Sequence, residues 1–299
     1  MERRGGRLAV PPRRGPAGMS RRRNLERHRH SLGEIRDIMN SMKTLAYMET
    51  RKLARFLDAQ NAVVRSIEEA AADLLGCHPE ILPEVKEAAP VCLLIGTERG
   101  FCGDFNHALL RQLDALPASP PPMLIAVGAR LHALLEGDAR LAAAVGGASV
   151  VEEVTSLLNR VTAEITALQD ARGVPAVFCL YHGSEDGIVM QRLLPPFRFL
   201  PGRPPRFPHP PLLNLPPREL LAGLADHYLF AALHQMLYTS LMVENRHRVA
   251  HLEGAVRHLD DESAELAQRC NALRQEEIIE EIEVILLSAA SLGEGPAGR

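Results

Sequence analysis

The sequence predicts an α/β fold with a long coiled coil contributed by both chain ends. Arg21 to Gly76 contains no proline and one interior glycine, Gly33, while Arg218 to Leu292 contains no proline and only Gly223 and Gly254. A twenty-residue helix already spans ~30 Å, about the width of a small domain, so helices of this length must extend beyond one. Between them, short apolar runs alternate with helical stretches, the grammar of a mostly parallel sheet covered on both faces.

The chain opens with a basic tail, residues 1–19. The first 23 residues hold eight arginines, a single acid (Glu2) and the breakers Pro11, Pro12 and Pro16. Such a segment buries too little apolar surface to order itself. Of 34 basic residues only Lys43, Lys52 and Lys86 are lysine, a bias that fits a GC-rich bacterial genome. The reading taken is that Met19 is the start and residues 1–18 are upstream translation, rather than an Arg-rich transit peptide or a nucleic-acid-binding arm; no nucleic acid is expected as a partner.

The first long helix is expected over residues 20–80. Leu25, Leu32, Met39, Ala46, Leu53, Gln60, Ile67 and Leu74 fall at one heptad position, with His28, Ile35, Met42, Glu49, Phe56, Val63 and Ala70 as the companion set. Twelve of these fifteen are apolar, and a sustained 3.5-residue period keeps one narrow seam toward a partner helix. The last helix, residues 218–292, carries its own seam: Val249, Leu252, Val256, Leu259, Ser263, Leu266, Cys270 and Leu273. Residues 293–299 read as a tail.

The α/β segment spans residues 88–195. Val91–Gly96 and Met123–Gly128 read as buried strands, Ser149–Val154 as a weaker one, Pro175–Tyr181 as a strong one and Ile188–Leu194 as a short last one. Helices are expected from about Asn106 to Leu116, through Leu131–Glu136 and over Thr155–Ala171. Residues 196–217, rich in proline, read as an extended linker.

Composition narrows the function classes. With 46% hydrophobic residues and a formal net charge of −3, the chain falls among soluble globular proteins, and no stretch of eighteen apolar residues is present. Cys77, Cys92, Cys102, Cys179 and Cys270 are dispersed without CxxC spacing, which suits a reducing compartment and argues against a disulfide framework or a zinc site. Gly96, Gly100 and Gly103 are spaced G-x₃-G-x₂-G, which is not the dinucleotide fingerprint, and no Walker A sequence exists. His247 and His251 share a helical face at i, i+4, yet no third ligand is evident, so they read as exposed histidines on a polar stripe. Cys102 has no evident His partner. The sequence offers no catalyst, and no cofactor is expected.

One feature resists an ordinary reading. Val284 to Leu292 is apolar or small around the whole helix circumference, and a helix of that kind must be buried on all sides. Another protein is expected to surround this tip.

Taken together, the layout resembles the gamma subunit of F-type ATP synthases, the central rotor shaft. Ser31…Ile38…Met42…Ala46…Arg51-Lys52 resembles that family's S-x₆-I-x₃-M-x₃-A-x₄-RK. Arg99-Gly100-Phe101-Cys102-Gly103-Asp104-Phe105-Asn106 is similar to its RGLCGGLN loop. Asn271, Arg274, Gln275, Ile278, Glu281, Ile282, Ile285 and Ala289 match its C-terminal signature, and Glu244, Arg248 and Ala255 also fall on residues of the same type. The resemblance runs from about Ser20 to Leu292. It implies an antiparallel coiled coil with a Rossmann-like domain, and a non-catalytic rotor coupling ion translocation to ATP synthesis or hydrolysis. The implied partners are the alpha and beta subunits of the catalytic hexamer, the epsilon subunit and the c-ring, at the cytoplasmic face of a bacterial inner membrane. It further implies that Arg274, Gln275, Ile278, Glu281, Ile282, Ile285, Leu286 and Ala289 touch the hexamer, and that Arg99, Gly100, Cys102, Gly103 and Asn106 form the family loop.

Departures point to a divergent branch. Asp104 replaces a glycine, the family's TxKIT is Ile35-Arg36-Asp37-Ile38-Met39 here, and its late glycine is Ser288. Two rivals remain from the residues alone: a cytosolic coiled-coil scaffold with an embedded α/β domain, and a Rossmann oxidoreductase binding a cofactor at Gly100–Gly103.

Overall fold

The computed structural model describes residues 17–83, 90–116, 120–172, 176–183, 187–200 and 209–293. The expectations for residues 1–16, for 201–208 of the linker and for 294–299 lie outside them. Two helices dominate, α1 (Ala17–Cys77) and α5 (Pro217–Gly293), and no described helix is long and apolar enough to cross a membrane. The chain divides into two units, Met1–Ser41 with Glu253–Arg299, and Met42–Leu252.

In the first unit the two helices run antiparallel. Arg22 Nε donates to Glu277 at 3.1 Å, His28 lies 3.5 Å from Glu262, and Arg36 lies 3.5 Å from Asp260. These exposed or half-buried pairs contribute little energy but fix the pairing order. The seam is apolar: Leu32, Val256, Leu266 and Cys270 are buried, and Leu25, Met39, Leu259, Ser263 and Leu273 are half-buried. Ile35, expected in the seam, is exposed.

The second unit is built on a five-stranded sheet ordered β3-β2-β1-β4-β5. Its strands are β1 (Val91–Ile95), β2 (Met123–Val127), β3 (Leu141–Val145), β4 (Val177–His182) and β5 (Ile188–Leu194). Four run parallel and β5 pairs antiparallel with β4. Side chains alternate across the pleat. Val91, Leu93 and Ile95 therefore face a core shared with α1, α5 and α4 (Val154–Arg172). Cys92 and Leu94 face a second core with α2 (Phe105–Asp114) and α3 (Ala129–Leu134). Both faces are covered, as the continuous apolar runs require.

Three expectations are corrected. The third strand is Leu141–Val145, because parallel pairing with β2 overrides the weak strand preference of its alanines. Ser149–Val154 is no strand but a turn and a 3₁₀ turn, Val151–Glu153, leading into α4. There Glu153 accepts the Ser149 N–H at 2.7 Å, and Glu49 of α1 accepts that of Val151 at 3.2 Å, so carboxylates start a helix where valines suggested a strand. Finally, the heptad companions Phe56, Val63 and Ala70 are exposed, and Leu57, Val64 and Ala71 are buried instead. Beyond Leu53 the buried stripe keeps its 3.5-residue period, but its companion positions move one residue on while Leu53, Gln60, Ile67 and Leu74 stay within it. It now faces a broad core of sheet and helix rather than a single partner helix. Gln60, polar within that stripe, donates to the Ala231 carbonyl of α5 at 2.9 Å.

Candidate functional site

The loop after β1 is shaped by its own residues. Gly96 has no room for a side chain, since a Cβ there would lie 2.5 Å from that of Leu131. Asn106, at the start of α2, clamps Thr97 twice, accepting its N–H at 3.0 Å and donating to its hydroxyl at 2.9 Å. Gly103 adopts φ 59° and Phe101 φ 65°, the left-handed region that a bulky residue seldom enters. Cys102 is buried and its thiol donates to the Gly100 carbonyl at 3.4 Å. Asp104, standing where the resembling family has glycine, pairs with Arg111, which holds its carboxyl below the usual range.

This loop is tied to α5 by a buried ionic cluster. Arg248 Nε donates to the Gly100 carbonyl at 3.3 Å, its Nη1 to Asn245 at 2.8 Å and its Nη2 to Glu244. All three side chains are buried. Burial pushes the Glu244 carboxyl up to about 7, against the pull of the adjacent Arg248 guanidinium. Sequence reading noted Glu244 and Arg248 separately from the loop. The signal for joining them was a charged i, i+4 pair after the apolar run Leu241–Val243, where both charges must be internal and matched.

The crevice that an enzyme of this topology would use is already filled. It lies outside the carboxyl ends of β1 and β4, where the strand order reverses. There the His182 ring stacks on Phe105 at 3.7 Å between centroids, and His247 of α5 meets both edge-on at 5.7 and 5.9 Å. His182 Nε2 lies 3.0 Å from the Phe105 carbonyl, to which it donates. His247 is thus half-buried packing rather than part of a polar stripe, whereas His251 stays exposed, 6.4 Å from the Phe101 ring. Nearby, one Glu98 oxygen accepts the N–H groups of Ala129 at 2.9 Å and Gly147 at 2.6 Å. A side-chain carboxylate thus takes up backbone donors at the start of α3 and after β3. Burial raises the Cys102 thiol to about 12, so it is no nucleophile at neutral pH. Among the described residues no cluster of His, Cys, Asp or Glu could hold a metal.

In the first unit, the seam ends in charge. Glu277, four residues beyond Leu273, is half-buried and paired with Arg22, so Arg274 and Gln275 point away from the partner helix and are exposed. Ile278, Glu281, Ile282, Ile285, Leu286 and Ala289 are exposed as well. Leu287 is 71% exposed and Val284 65%, so apolar groups cover every side of this helical segment. The loop residues Arg99, Gly100, Cys102, Gly103 and Asn106 belong to the other unit, and the two sets are separate sites.

A family model described as ATP synthase matches residues 21–292. Comparison with curated proteins finds no match. Among solved structures, the central stalk and c-ring of the Tetrahymena thermophila mitochondrial ATP synthase align at 15% identity and TM-score 0.53, covering 73% of this chain and 99% of that one. The rotor of the Euglena gracilis mitochondrial ATP synthase aligns at 16% identity and TM-score 0.59, covering 87% and 99%. A Euglena gracilis structure of OSCP, F1 and c-ring aligns at 16% identity and TM-score 0.63, covering 94% and 98%. At these identities the structures share the fold with this chain.

Proposed function

We propose that this chain, which belongs to the gamma-subunit family of F-type ATP synthases, works as a central-stalk rotor that couples ion translocation to ATP synthesis or hydrolysis. The family match along nearly the whole chain carries the reading, and the apolar helix end around Val284–Leu287 supports it. Exposed aliphatic side chains on all sides of a helix need a protein sleeve, and a rotating shaft needs one that grips without specific bonds. The proposed partners are the alpha and beta subunits around that end, with epsilon and the c-ring elsewhere. The proposed location is peripheral, at the cytoplasmic face of a bacterial inner membrane. In this reading catalysis belongs to the hexamer and the mechanical part to this chain.

Arg274 and Gln275 are the proposed state-dependent contacts. Hydrogen bonds made at some rotor angles and not others would shift a beta subunit between conformations, which is coupling in the thermodynamic sense. A charge-assisted bond of this kind is worth about 1.5–3 kcal/mol. Arg274→Ala with Gln275→Ala should lower ATP turnover of the reconstituted complex while leaving subunit stoichiometry intact. Unchanged turnover with normal assembly would remove these residues from the mechanism.

A further inference from the structure

The sheet leaves the β5 edge open. β5 pairs with β4 and, among the described residues, with no second strand. The Gly183 N–H donates to the Gly187 carbonyl at 2.7 Å between the two strands. In an antiparallel pair, residues that bond each other alternate with residues whose main-chain groups point outward. Counting by two from the Gly183–Gly187 pair, Val189 and Gln191 bond to β4. The main-chain groups of Ile188, Met190 and Arg192 therefore face away from it, a row of N–H and C=O groups that only another peptide backbone matches throughout.

Such an edge templates pairing with another chain unless it is short, charged or covered. β5 has seven residues, against five in β3 at the opposite edge. Its one charged residue, Arg192, lies over the Phe178 ring of β4 at 4.9 Å, so it covers the sheet face and leaves the edge unguarded. Val189 and Met190 are 38% and 47% exposed. On the side of α1 and α5, a pocket of about 500 Å³ adjoins the same edge. Val189 and Gln191 line it together with Asn61 of α1 and Gln235 and Thr239 of α5. Arg65 and Glu68 also line it and offset each other in charge, so its remaining polar groups are amides and a hydroxyl. Strand addition draws affinity from main-chain bonds and specificity from pockets for alternate side chains.

We propose that the β5 edge receives an extended strand of another subunit. Its side chains alternate between amide or hydroxyl groups toward the pocket and apolar groups beside Met190. The proposal rests on the rotor reading only for where that strand is found, in the assembled complex. Hydrogen exchange of the full chain, alone and in the reconstituted complex, tests it. The amides of Ile188, Met190 and Arg192 are expected to exchange at least about tenfold more slowly in the complex. Met190→Pro removes an outward donor that the sheet does not use, a position where edge strands accept proline. That variant should keep the melting temperature of the chain alone and lose the added protection at Ile188 and Arg192. Should it fold poorly, Met190→Lys, which charges the exposed edge, carries the comparison. Equal exchange of the three amides in a complex that contains the chain overturns the added strand and leaves the rotor reading standing. A chain that fails to enter the complex overturns both.

Discussion

Removing Arg248 is the sharpest test of how α5 is held to the α/β unit. Its guanidinium serves Gly100, Asn245 and Glu244 together, and both Arg248 and Glu244 are buried. Arg248→Met leaves a buried carboxylate without its partner, a loss of about 3–5 kcal/mol. The pH dependence follows from Glu244, whose carboxyl stands at about 7 instead of its usual 4.5. The folded state therefore binds this proton more tightly than the unfolded state. The stability it contributes is full below about 4.5 and is lost as pH rises through about 7. Arg248 pulls that value down, so without it the losing window extends to higher pH. Urea unfolding of the α/β unit should find Arg248→Met more destabilised at pH 8 than at pH 6. Replacing both partners by apolar residues, Glu244→Leu with Arg248→Met, should recover most of the loss. A single variant costing less than about 1 kcal/mol, or a double variant as unstable as the single, would refute the buried-pair account.

Further expectations concern packing and ligands. Leu57→Ala should cost about 2–5 kcal/mol and Phe56→Ala clearly less; equal losses in thermal unfolding would put the stripe back on the original heptad. Gly128→Ala should be strongly destabilising, because φ is 104° and a Cβ would lie 2.6 Å from the Thr97 carbonyl oxygen. Gly33→Ala, with nothing within 4 Å in mid-helix, should instead stabilise by about 0.5–1 kcal/mol in the same melts. Calorimetry with ATP or NAD should show no micromolar binding, since side chains occupy the crevice; saturable micromolar binding would revive the oxidoreductase reading.

The long helices, β1, β2, β4 and β5 were legible because each rests on a local pattern: absence of proline, a heptad, or a continuous apolar run. β3 was not, because Leu-Ala-Ala-Ala-Val has no strand character of its own and exists through pairing with β2. The valines of Ser149–Val154 misled for the converse reason, as Glu153 and Glu49 cap a helix start there. Residues of the family loop could be named from sequence. Their attachment to Arg248, 148 positions away from Gly100, could not, since nothing local encodes a contact of that separation. The exposure of Arg274 and Gln275 follows from the seam passing from Leu273 to the half-buried Glu277.

The sideways step of the buried stripe at Leu53 also restricts how this protein can change its size. Within the second unit α1 is uninterrupted and carries both a stripe through Ala46, Glu49 and Leu53 and a stripe through Leu57, Val64 and Ala71. Inserting or deleting a single residue between them would turn one stripe by about 100° relative to the other. Seven residues would turn it by only about 20°. Descendants of this sequence can therefore lengthen or shorten α1 almost only in whole heptads, and viable length variants should fall on that ladder.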